Sequence, residues 1–70
     1  MTVSMRAVVR DEDGYRRANV GEEVHTWSVY IDAGSLPWWV FDMPGRLEAR
    51  LAAKRIAKIC GAEYVEEGPA

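Results

Sequence analysis

Residues 26–60 read TWSVYIDAGSLPWWVFDMPGRLEARLAAKRIAKIC, and this stretch decides the fold. Val24 to Asp32 is dense in β-branched and aromatic residues, which favour a pleated surface. It alternates His25, Trp27, Val29 and Ile31 against Val24, Thr26, Ser28 and Tyr30, the period of two expected of a strand. Ala33 to Pro37 is a loop of hairpin length ending in a breaker. Trp38 to Asp42 follows as a second strand, with Trp39 and Phe41 on one face and Trp38 and Val40 on the other. Bulky apolar residues on both faces predict a central strand or one covered on both sides.

A helix comes next, over about residues 44–60. Pro44 suits a first turn, where its missing N–H would be unpaired anyway. Asp42 is placed as the N-cap, Gly61 as the left-handed residue beyond the C-terminus, and Lys58 complements the dipole near the end. At about 100° per residue, Ala49, Ala52, Ala53, Ile56, Ala57, Ile59 and Cys60 form one broad stripe. That stripe predicts the face packed on the sheet, its small residues meeting Trp27, Trp39 and Phe41. Cys60 reads as a small buried hydrophobe.

Working outward, Val3, Met5, Ala7 and Val9 alternate with Thr2, Ser4, Arg6 and Arg10, again a half-buried strand. Val8 breaks the pattern on the polar side. Asp11-Glu12-Asp13-Gly14 is a turn signal, and Tyr15 to Val20 is the candidate return strand of a hairpin. Ala62 to Glu66 offers a short edge strand, and Gly68-Pro69-Ala70 a frayed tail. The expected fold class is α+β, one domain over residues 1–67: an antiparallel sheet of three or four strands with one helix across one face. Its expected core is Val3, Met5, Val9, Trp27, Val29, Ile31, Trp39, Phe41, Ala52, Ala53, Ile56 and Ile59.

A chain of 70 residues is marginal alone, since so short a domain buries only about 60% of its unfolded surface. The usual remedies are disulfides, a metal or oligomerisation. Cys60 is the only cysteine, which excludes an internal disulfide and fits a cytoplasmic protein. Neither a signal peptide nor an apolar run of membrane-spanning length is visible. Net charge is −2, so generic nucleic-acid binding is not the first expectation.

No enzyme is expected. His25 has no nucleophile or matched acid placed beside it by sequence, and reads as a partly buried structural residue. Asp11, Glu12 and Asp13 lack the full twelve-residue calcium pattern. Gly34 and Gly45 fit no phosphate-loop spacing. Neither cofactor nor metal is implied.

Partner binding carries the strongest signal. Opposite the alanine stripe lie Leu47, Arg50, Leu51, Lys54, Arg55 and Lys58. Two leucines one turn apart, ringed by cations, make an anchor for an acidic protein surface or a second copy in a homodimer, the cations supplying orientation and on-rate. The alternative is a nucleic-acid surface on the sheet, where Arg6, Arg10, Arg17, Tyr30 and Trp38 would interleave cations with stacking rings.

In outline, the Trp-bearing hairpin Trp27 to Phe41 followed by the alanine-rich Leu51 to Ala57 resembles many small bacterial and phage proteins. The resemblance is one of size and architecture. It implies a non-enzymatic inhibitor docking on a protein, in the style of anti-CRISPR proteins.

Overall fold

The computed structural model describes residues 1–34 and 37–68. The elements run β1 (Thr2–Asp11), β2 (Gly14–Arg17), β3 (Thr26–Asp32), β4 (Pro37–Met43), α1 (Arg46–Cys60) and β5 (Glu63–Glu67). The expected α+β architecture holds. Among the described residues the sheet has five strands, the short last strand joining the three or four expected, and they are antiparallel except for β5, which runs parallel to β1.

β1 is the spine. One of its edges pairs with β3 from Thr2 to Val8. The other is shared end to end: β5 pairs with Thr2 to Arg6 and β2 with Val8 to Asp11. β4 closes the far side and, among the described residues, pairs with β3 alone. A parallel neighbour cannot be reached by a tight turn. Helix α1 therefore carries the chain from β4 across β3 and β1 to β5.

The helix ends explain this path. Gly45, in extended conformation, is the N-cap and makes no side-chain cap bond; its carbonyl accepts from Ala49 N–H at 2.9 Å. Helix α1 thus starts two residues later than expected, Pro44 stands outside it, and Asp42 belongs to β4. At the other end Gly61 adopts φ +66°. Its N–H reaches Lys58 O at 3.4 Å and Ala62 N–H reaches Ala57 O at 2.8 Å. This double bond pattern satisfies the last free carbonyls and turns the chain sharply into β5.

The core is thin. On the helix side of the sheet Val3, Met5, Ala7 and Val29 are buried, facing Ala49, Ala53 and Ala57 of α1. Ile31, Phe41, Ile56, Ala62 and Tyr64 pack partly against them. Trp27, Val9 and Ala52 are half-buried. Three expected residues lie outside. Ile59 is 78% exposed and Trp39 58% exposed, and Cys60 is also exposed. The buried helix stripe is centred on Ala53, rotated away from Ile59. Cys60 ends the helix, one residue before the Gly61 turn.

Trp39 is outside because of a strand irregularity. Phe41 pairs with Val29, but Trp39 pairs with Tyr30, leaving Val40 as the extra residue. Since successive side chains alternate faces, one extra residue moves Trp39 to the open face with Tyr30 and puts Trp38 on the side of Ile31. Such an insertion is a β-bulge.

β2 is shorter than the candidate Tyr15 to Val20: Ala18 is fully buried and donates its N–H to Ala7 O at 2.9 Å, while Val20 is 79% exposed. β3 begins at Thr26, so His25 lies outside it and is exposed, 3.4 Å from Glu23 Oε1. The loop expected over residues 33–37 gives up Pro37 to β4, and Ser35 and Leu36 lie outside the described residues. So do Pro69 and Ala70 of the expected tail, whereas Gly68 is held by Arg17 Nη2 on its carbonyl at 3.0 Å.

Candidate interaction surface

Helix α1 presents its small residues to the sheet and its large ones to solvent. Leu47 is 67% exposed and Leu51 70% exposed, as their spacing predicts. Exposed apolar side chains are ordinary when scattered; a concentration of them is not. Leu51 lines a groove of about 540 Å³ with Ala52, Arg55, Ile56 and Phe41. The groove runs between α1 and β4. The exposed Ile59 and Trp38 belong to the same two elements. Exposed apolar side chains thus occur on both elements that border the groove.

The cations of that helix divide into two groups. Arg50 does not stand beside the leucines. Its Nε donates to Glu66 Oε1 at 2.7 Å, and Arg46 pairs with the same carboxylate. Tyr64 OH donates to Glu66 Oε1 at 3.2 Å. Hydrogen bonds from Arg50 and then Arg46 hold the Glu66 carboxyl down at about 2. Burial pushes the Tyr64 phenol up, with Glu66 adding to the effect. Lys54 leans over the Tyr64 ring, 5.7 Å from its centroid. Arg50 and Lys54 are thus drawn to β5. Arg55 and Lys58 remain exposed, about one and two turns beyond Leu51. Sequence reasoning placed all four cations in one ring because it had no position for β5.

The opposite, open face of the sheet carries the alternative set. Arg6 stacks on Tyr30, 4.5 Å from the ring centroid, and its Nε lies 2.7 Å from Glu67 Oε2. Arg17 is bound to Gly68 O and faces Val8 across the β1–β2 pair. Arg10 is exposed. Trp38 does not join them; the bulge gives its place to Trp39, whose Nε1 donates to Asp42 Oδ1 at 2.9 Å. Ser28 donates to the same carboxylate oxygen. Tyr15 and Tyr30 line two adjoining hollows on this face, one with Arg6, Arg17 and Glu67, the other with Trp39 and Asp42. Val8, the residue that broke the polar alternation, is buried here at 4% exposure.

Among the described residues no cluster of three or more metal-ligating side chains occurs, and no helix is long and apolar enough to cross a membrane. Among the described residues ion pairs join Arg6 to Glu67, Arg16 to Asp11 and Glu22, and Arg46 and Arg50 to Glu66. No protein-family model, curated protein or solved structure matches this chain.

Proposed function

We propose that this protein is a non-enzymatic docking module that binds another protein through the outer face of α1 and the adjoining edge of β4. The observation that carries this reading is the inversion of the helix. Its buried residues are Ala49, Ala53 and Ala57, while Leu47, Leu51 and Ile59 face solvent. Exposing large side chains forgoes about 1.5–3 kcal/mol each that burial would supply. A small domain with so thin a core gains from recovering that burial at an interface. Arg55 and Lys58, free of the Glu66 cluster, rim the patch and suit acidic groups on the partner.

Nucleic-acid binding is the weaker reading. On the open face Arg6 is paired with Glu67 and Arg17 with a backbone carbonyl. Asp42 lies in the hollow beside Trp39, and a carboxylate there repels phosphate.

A photoreactive phenylalanine replacing Leu47 tests the docking reading. A protein adduct is expected from that position, reduced by Leu51→Asp, and none from the same group placed at Tyr15 on the open face. Absence of any adduct at position 47 would remove the reading. Strongly salt-dependent oligonucleotide binding lost on Arg10→Glu would put the nucleic-acid reading in its place.

A further inference from the structure

We propose that the partner is a second copy of this chain: two molecules meet at β4 about a two-fold axis, with their α1 helices antiparallel and side by side over the joined sheets. This rests on the docking reading above and names the occupant of that surface. Among the described residues β4 pairs only with β3, so its outer edge offers unbonded N–H and C=O groups to another strand. A strand edge meets its own copy across a two-fold in antiparallel fashion, each residue contacting its counterpart reciprocally.

The helix flank has the matching pattern. Glu48, Ala52, Arg55 and Ile59 are spaced four, three and four apart, which places them on one stripe of α1. That stripe borders the groove shared with Phe41 of β4. Glu48 and Arg55 are equidistant from the midpoint between Leu51 and Ala52. An axis at that level sets each Glu48 against Arg55 of the second copy, twice over, with Leu51 and Ala52 at the centre. Neither residue makes an ion pair among the described residues. Phe41, beside the same helix level, sets the matching point on the strand. Self-complementary charge around an apolar centre is what a two-fold contact requires, and a foreign partner places no such demand on one surface.

The strand supplies only part of the contact. Pro37 has no N–H to give, and the extra residue at Val40 bends the strand. The ladder is therefore short, and Trp38, Leu51, Phe41 and Ile59 carry the association.

Sedimentation equilibrium of the full chain, from micromolar to millimolar concentration, is the test. A monomer–dimer equilibrium is expected. Leu51→Asp weakens it at least about thirtyfold, as for a central anchor; Trp38→Lys also weakens it. Unchanged circular dichroism shows that both variants fold. Glu48→Arg alone weakens the dimer about tenfold by facing like charges across the axis, and adding Arg55→Glu restores it. A dimer indifferent to Leu51→Asp and Trp38→Lys overturns the interface. A double reversal no better than the single one overturns the antiparallel arrangement. A strictly monomeric chain whose position 47 still forms an adduct with a foreign protein overturns the second copy alone. A monomer with no adduct at all removes the docking reading with it.

Discussion

The two edges of the sheet are built from different chemistry. Along one lie β2, reading GYRR, and β5, reading EYVEE. Several of their charges are matched within the chain: Arg46 and Arg50 on Glu66, Arg6 on Glu67, Arg16 on Glu22 and Asp11. Along the other lies β4, reading PWWVFDM, with a single charge, and that charge is bonded to Ser28 and Trp39 on the open face. Charged side chains discourage a foreign strand from adding to an edge, and their scarcity leaves it receptive. The charged edge is finished within one chain; the aromatic edge has large side chains still in water. The difference is one between an edge guarded against pairing and an edge suited to it.

Stability separates the two regions most sharply. Met5 is fully buried, with its Sδ 4.0 Å from Tyr64 OH of β5. Met5→Ala should cost about 2–5 kcal/mol in denaturant unfolding. Trp38→Ala, at the exposed aromatic edge, should change the monomer by no more than about 0.5 kcal/mol. Equal losses, measured at a concentration where the chain is monomeric, would break the comparison.

The turn into β5 is the next most sensitive point. Gly61 holds φ +66° with nothing within 4 Å of where a Cβ would stand. Only the backbone conformation opposes a side chain there, so Gly61→Ala should cost about 1 kcal/mol. An unchanged melting temperature would mean that the turn into the charged edge can relax.

Acid should act on the charged edge. Glu66 is held at about 2, below its ordinary 4.5. Its pairing therefore contributes fully above the ordinary value and is lost as pH falls from there towards the folded-state value. Glu22 is likewise held at about 2, by Arg16 and the Asn19 N–H, and adds to the same window. Glu66→Gln should make the acid-side decline in stability shallower, and Glu22→Gln should do so independently. An identical slope in Glu66→Gln would show that the Arg46–Glu66–Arg50 cluster contributes nothing measurable in solution. The smallest effect lies at the start of α1. Gly45→Ser adds a capping hydroxyl and should stabilise by a few tenths of a kcal/mol. Its new Cβ meets the Glu48 side chain at 3.3 Å, which can swing aside. A loss instead of a gain would mean that Glu48 is fixed over the helix start.

Much of this was legible from local pattern. Alternation marked β1 and β3, and the alanines with Gly61 marked α1 and its end, because periodicity and turn chemistry act within a few residues. The exposed Leu47 and Leu51 were legible too, since a helix that packs one side leaves its other side outside. The local pattern could not show β5 joining β1 in parallel, for that pairing links residues far apart in the chain. Without it, Arg50 and Lys54 were read as part of the leucine rim when Glu66 and Tyr64 draw them away. Nor could alternation show the extra residue at Val40, which exchanges the faces of Trp38 and Trp39. The sequence by itself determined the type and order of the segments and that Leu47 and Leu51 face water, but not that Ile59 and Cys60 do. The tertiary structure alone decided which edge is charged and which is aromatic, because that depends on strand order and register, and those are set by contacts between segments rather than within them.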